Sequence, residues 1–328
     1  MQSKIILLIG FQASTKSSTA QEILSNVSNA VILSRDAEGG TVEALVAKAE
    51  IHIKDGKVVV IDNTNLTKHI RKLFIDLANR HNIPVDAHYF NTTLEDCQIR
   101  HLRRMYEQWG EIYQTGTMPE VAMPNKNKSP HCFGPVVLFK ARKDLELPTR
   151  DEGLHCIINH PVPPPTWDPA IYKNKVLFLD IDGTLRETEH LPNKYPTHPD
   201  EVQLIRPANL MYAKLNEYRA QGYKLIGVSN QSGIAKGTVT QQQVDAIFDR
   251  TRQLIGFTEE EFPILYCPHP ANPVTCFCRK PGPGMGMEAI MKLRLNPAEC
   301  EMVGDMKTDE EFAKRLRIKY WDAKDFWA

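Results

Sequence analysis

The sequence has no net charge: Lys plus Arg number 40, and Asp plus Glu also number 40. That balance removes the overall basicity that advertises nucleic-acid binding, though it leaves room for a local basic groove. No stretch is apolar for long enough to span a bilayer. No internal repeat or low-complexity tract is present. The opening Met1-Gln2-Ser3-Lys4 leads into a short apolar segment, not a long apolar run with a cleavage site, so a secretory signal is not expected. Cysteine is sparse, with seven in 328 residues, three of them clustered. This is not a disulfide scaffold, and a reducing cytoplasm is the expected compartment. What the chain does have is bulk: 42% hydrophobic residues over this length predict a substantial core and two domains.

The division is visible at Pro161 to Pro169, which reads PVPPPTWDP. Prolines this dense cannot continue a helix or a central strand and predict a stiff connector. The sequence restarts in the same way on either side of it. Lys4 to Gly10 (KIILLIG) and Lys175 to Asp180 (KVLFLD) are apolar strands running into loops, each followed by alternating helical and apolar stretches. Short, nearly continuous apolar strands between helices indicate parallel sheets covered on both faces. The expected fold is therefore α/β, with two three-layer domains over 1–160 and 174–328 and a proline-rich linker over 161–173. The polar, proline-containing stretch from about 110 to 135 reads as a mobile loop or lid.

The second strand runs into Asp180-Ile181-Asp182-Gly183-Thr184. Residues two apart on a strand face the same side, so Asp180 and Asp182 can meet one ligand. At the carboxyl end of a parallel strand they sit where such sheets bind substrates. Adjacent carboxylates repel and call for a hard cation such as Mg²⁺. The first can attack phosphorus; the second can protonate the leaving oxygen and later deprotonate water. A lone D-x-D is weak, but three signals follow in order. Ser229 ends an apolar strand and can bind a phosphate oxygen. Lys280 in Arg279-Lys280-Pro281 can balance phosphate charge. Asp305 ends another apolar run and can complete the magnesium shell, with Asp309 one helical turn later.

These four motifs resemble the haloacid dehalogenase superfamily over residues 174–328. The resemblance implies a Rossmannoid fold and a magnesium-dependent phosphatase acting through an aspartyl-phosphate, with Thr184 and Asn230 at the substrate. The run Ser229 to Gly237 (SNQSGIAKG) is similar to the loop of histidinol-phosphate and heptose-bisphosphate phosphatases and of polynucleotide kinase-phosphatases. Between the motifs lie Cys267-Pro268-His269 and Cys276-Phe277-Cys278. Three thiols and one imidazole at this spacing can close a tetrahedral structural zinc site with no position left for catalysis.

In the first half, the opening strand is followed by Gly10-Phe11-Gln12-Ala13-Ser14-Thr15-Lys16-Ser17-Ser18. A phosphate-binding loop needs a strand, a tight turn, a Lys for the outer phosphates and a hydroxyl for magnesium. Gly10, Lys16, Ser17 and Ser18 supply these for ATP. Ala13 and Thr15 stand where Gly is usual, and a β-branched residue in left-handed backbone costs on the order of 1–2 kcal/mol. Downstream come Leu33-Ser34-Arg35-Asp36, Val60 to Asn65 (VIDNTN), and a helix bearing Arg100, Arg103 and Arg104. This order resembles the P-loop kinase domain of bifunctional polynucleotide 5′-kinase/3′-phosphatases over about residues 3–158. By that resemblance Asp36 would activate a 5′-hydroxyl, Arg35 would hold the acceptor, and Arg103 or Arg104 would lie on the transferred phosphate. The expected function is processing of DNA or RNA ends, in functional link with a ligase. Two alternatives stay open. One is a small-molecule phosphate monoesterase with an inert or regulatory first domain. The other is a nucleic-acid-binding module that delivers a phosphatase.

Overall fold

The computed structural model describes residues 3–113, 132–191 and 194–328; the expected lid falls mostly on 114–131, outside them. The chain divides into two compact units, one comprising Met1–His101 with Val136–Pro165 and the other Leu102–Pro135 with Thr166–Ala328. No helix among the described residues is long and apolar enough to cross a membrane.

In chain order the first unit contains β1 (Lys4–Ile9), α1 (Lys16–Asn26), β2 (Ala30–Ser34), α2 (Arg35–Glu38), α3 (Val42–Lys54), β3 (Val58–Asp62), α4 (Lys68–Arg80) and β4 (Val85–Asn91). The start of α5 (Leu94–Trp109), nearly all of α6 (Pro135–Asp144), and β5 (Cys156–Pro161) complete it. The sheet is parallel throughout, in the order β2-β3-β1-β4-β5. Alternate residues of β1 go to opposite cores. Ile5, Leu7 and Ile9 pack with Leu45, Ala49, Phe74 and Leu77 of α3 and α4. Ile6 and Leu8 pack with Ala20 of α1, Val58, Val60 and Phe90. Because both faces are covered, the strand reads as a continuous apolar run. Thr41 and Thr67 cap α3 and α4 by accepting from Ala44 N and Ile70 N, each cap contributing about 1 kcal/mol.

The second unit contains β6 (Lys175–Leu179), α7 (Ala208–Ala220), β7 (Tyr223–Asn230), α8 (Ser232–Lys236), α9 (Gln241–Ile255) and β8 (Ile264–Cys267). It continues with α10 (Gly284–Leu293), β9 (Glu301–Gly304), α11 (Lys307–Leu316), β10 (Lys319–Asp322) and α12 (Ala323–Phe326). Its sheet is also parallel, in the order β10-β9-β6-β7-β8. Leu177 and Leu179 face a core with Met211, Leu215, Val244 and Phe248 of α7 and α9. Phe178 faces the other side, edge-on to Phe312 of α11 at 6.0 Å.

The proline-rich segment is shared between the units. Pro161 is the last residue of β5, an edge strand, where a missing N–H is tolerated. Trp167 packs edge-on against Tyr172 at 4.8 Å within the second unit.

Candidate functional site

In the second unit the sheet order sets β6 between β9 and β7, so the loops after all three converge on Asp180. Its backbone N–H donates to Val303 O at 2.9 Å, and its side chain is buried. Gly183 turns the chain with φ 84°, and a Cβ there would stand 2.2 Å from Asp305 Oδ2; only glycine lets the two loops approach this closely. Lys280 is buried, with Nζ 2.5 Å from Asp180 Oδ1, 2.7 Å from Asp309 Oδ1 and donating to Val228 O at 2.7 Å. Asn230 clamps the lysine's backbone: Nδ2 donates to Lys280 O at 3.0 Å, and Oδ1 accepts from Lys280 N at 2.9 Å. Thr184 is fully buried, its Oγ1 3.5 Å from both Asp180 Oδ2 and Asp305 Oδ1.

Asp180, Asp305 and Asp309 bring carboxylate oxygens within 4.8 Å of one another. Three carboxylates against one ammonium leave an excess of two negative charges. Burial first, then Asp309 and Asp182, push Asp180 well above the ordinary carboxylate range, against the pull of Lys280. Burial and Asp309 likewise push Asp305 up. Burial draws Lys280 down, but Asp180 and Asp309 outweigh it and hold the ammonium above its usual value. An all-oxygen donor set with this charge excess fits a hard divalent cation.

Asp182 lies beside that group. Its Oδ1 accepts from Arg186 Nε at 2.7 Å and its Oδ2 from Gln231 Nε2 at 3.1 Å, which fixes its orientation and leaves each oxygen a free lone pair. Asp309, mentioned in the sequence only as a neighbour, takes the third position. Gln231 also donates to Ser229 Oγ at 2.8 Å, and the buried Arg186 donates to Thr251 Oγ1 at 3.2 Å and lies over the Phe248 ring. Trp327 Nε1 holds the Thr184 carbonyl at 2.8 Å. Sequence reasoning missed Arg186, Gln231 and Trp327. Asp182 and Arg186 meet as bridge partners across a turn, not on a helix face, and nothing in a linear sequence signals any of the three.

Cys267, His269, Cys276 and Cys278 come together as expected. Cys267 Sγ is 3.7 Å from Cys276 Sγ and 3.5 Å from His269 Nδ1, which is 3.1 Å from Cys278 Sγ. A tetrahedral ion with ordinary Zn–S and Zn–N bonds needs edges of about 3.8 and 3.6 Å, so the donor set fits zinc.

In the first unit the loop after β1 is formed. Ala13 and Thr15 both take left-handed backbone, with φ 59° and 68°, where their side chains are disfavoured. Lys16 is buried and donates to Phe11 O at 2.5 Å and Gly10 O at 3.1 Å. Ser17 and Ser18 are exposed in the first turn of α1, which has no acidic residue and no side-chain cap; its amide groups favour an anion. A Cβ on Gly10 would meet Phe90 Cβ at 3.1 Å. Arg35 and Asp36 are exposed just beyond β2, two strands from β1, a separation of about 10 Å across the carboxyl edge of the sheet. Asn65 Nδ2 ties β1 to β3 through Leu8 O and Ile61 O, at 2.8 and 3.3 Å. Arg71 bridges Glu152 through two bonds of 2.7 and 2.8 Å. Neither of these supports was foreseen.

Arg103 lies on α5. It belongs to the second unit, where its guanidinium bonds Glu107 and Thr166 O and stacks over Trp167 at 5.2 Å. Arg104 is half-buried beside it in sequence.

Two family descriptions match the chain: "AAA domain" over residues 5–111 and "Polynucleotide kinase 3 phosphatase" over residues 175–327. A D-glycero-beta-D-manno-heptose-1,7-bisphosphate 7-phosphatase of Pasteurella multocida (strain Pm70) is 35% identical over 158 residues, 44% of this chain and 78% of its own. A probable heptose-bisphosphate phosphatase of Thermoplasma volcanium is 31% identical over 153 residues, 44% of this chain and 96% of its own. A solved Pnkp1/Rnl/Hen1 complex aligns over 98% of this chain and 96% of that one, at 14% identity and a TM-score of 0.33.

Proposed function

We propose that this chain, which belongs to the haloacid dehalogenase-type phosphatases and matches the polynucleotide kinase 3 phosphatase family over residues 175–327 and an AAA domain over residues 5–111, repairs nucleic-acid ends. The phosphatase removes 3′-phosphates, and the kinase-like domain phosphorylates 5′-hydroxyls with ATP. The products are the ends that a ligase joins. The observation that carries this reading is the pairing, on one chain, of the family match over 175–327 with a formed phosphate loop at Gly10–Ser18.

Phosphatases of this family use magnesium. Asp180, Asp305 and Asp309 would hold it here, and when bound it would neutralise charge on the phosphoryl oxygens. Asp180 attacks phosphorus and the ester oxygen leaves. Asp182, oriented by Arg186 and Gln231, gives that oxygen its proton, then takes one from the water that hydrolyses the aspartyl-phosphate. Lys280 stabilises the phosphoryl charge, and Ser229 donates to it. Zinc at Cys267, His269, Cys276 and Cys278 would stiffen the loop that carries Lys280. In the first unit, Lys16 and Ser17 hold ATP phosphates and Asp36 takes the proton of the attacking hydroxyl.

A second reading has its own support. The curated relatives at 31–35% identity act on heptose bisphosphates, which makes a sugar phosphate the competing substrate. Comparing kcat/KM on a 3′-phosphorylated oligonucleotide and on a heptose bisphosphate decides between them. The oligonucleotide should be preferred, with Asp180→Asn inactive on both; a preference for the sugar phosphate replaces the end-repair reading with the second. Transfer of labelled phosphate from ATP to a 5′-hydroxyl oligonucleotide, lost in Asp36→Ala, tests the kinase half. Absence of transfer from the wild type and from Thr15→Gly, with no ATP binding, would leave that half without the proposed role.

A further inference from the structure

At the amino-terminal end of β4 and β5, away from the carboxyl edge that bears the phosphate loop, three donors of different chemistry meet. Asp86 Oδ1 lies 3.0 Å from His155 Nδ1 and 3.0 Å from Cys156 Sγ, and all three atoms fall within 4.8 Å of one another. Neighbouring strand residues normally point to opposite faces. His155 and Cys156 both reach Asp86 because His155 precedes the strand and Cys156 begins it. The backbone holds both in place: His155 N donates to Val85 O at 2.9 Å, and Asp86 and Cys156 are register partners in the parallel ladder.

We propose that Asp86, His155 and Cys156 form a second metal site, taking a borderline divalent ion such as zinc. An imidazole, a thiolate and a carboxylate together select that class over magnesium or calcium. A tetrahedral ion needs edges of about 3.4 Å between oxygen and nitrogen and about 3.6 Å between oxygen and sulfur. The present 3.0 Å contacts are hydrogen bonds along those same edges, so the ion replaces two protons with a small expansion at an edge strand. Lys4 does not block it, since its ammonium occupies the other oxygen, Asp86 Oδ2, at 2.8 Å. On binding, Cys156 gives its thiol proton to solvent, and the His155 Nδ1 proton passes to the exposed Nε2, which keeps the imidazole neutral. The His155 side chain is 68% exposed, which leaves an entry path and a fourth position open to solvent. This site does not depend on the end-repair reading.

The test reads Cys156 itself, so zinc held by the cysteine loop does not interfere. Full-length protein is treated with iodoacetamide with and without zinc, and alkylation of Cys156 is followed by peptide mass spectrometry. Zinc at about ten times the dissociation constant should slow alkylation about tenfold, and a chelator should reverse it. His155→Ala, an exposed position, and Asp86→Asn should each abolish the protection. Equal alkylation rates with and without zinc in the wild type overturn the proposal, and so does protection that persists in both variants.

Discussion

Lys280→Met isolates the charge arithmetic of the phosphatase centre. The substitution keeps most of the side-chain volume and removes an ammonium that is 2% exposed and in contact with Asp180 and Asp309. The clustered carboxylates then lose the ammonium that touches two of them. Removing one partner of a buried ion pair costs about 3–5 kcal/mol. For a unit of this size each kcal/mol moves Tm by about 2–4 °C, so the transition of the second unit should fall by about 6–20 °C in chelator, as read by calorimetry. Asp309→Asn in the same background removes one of the opposed charges and keeps an acceptor for Met306 N, which now donates to Asp309 Oδ2 at 3.1 Å. The double variant should therefore recover part of the loss. Magnesium should raise the Tm of Lys280→Met more than that of the wild type. A shift smaller than about 2 °C, or a double variant less stable than Lys280→Met, would refute the reasoning.

Gly183→Ala places a methyl group 2.2 Å from Asp305 Oδ2 at a backbone φ of 84°; kcat/KM should drop about a hundredfold, with a higher magnesium requirement in a metal titration. Glu152 is drawn upward by burial, but two bonds from Arg71 and the Thr149 amide outweigh this and hold it below its usual 4.5. Its contribution is therefore present above pH 4.5 and lost as pH falls through the lower folded value. Glu152→Gln should cost about 3–5 kcal/mol at neutral pH and flatten the acid limb of the unfolding profile; an unchanged profile would count against it. Cys276→Ser should lose about one equivalent of zinc per chain and lower Tm, while Asp180 chemistry at permissive temperature is retained; metal analysis and a phosphatase assay check the two halves.

The apolar runs KVLFLD and KIILLIG, with their loops, were enough to read two parallel α/β sheets. Strand periodicity and burial on both faces are local properties of residues four to eight apart. The D-x-D and the later aspartate were legible for a related reason: each follows a strand end, and strand ends converge once the sheet is parallel; the lysine and the Cys/His pairs were legible from their spacing at the end of β8 and in the loop after it. Direction and partnership of side chains were not legible. That Arg186 and Gln231 reach Asp182 is settled by rotamers and packing from α9 and β7. That the Arg103 guanidinium lies over Trp167 was not legible either. Asp86 and Cys156 are 70 residues apart in sequence and become neighbours only when β5 adds to the edge of β4. The sequence by itself determined which chemical groups stand at the ends of which strands. The tertiary structure alone decided which of them touch, because pairing across a sheet depends on strand order and register, to which no single segment holds the key.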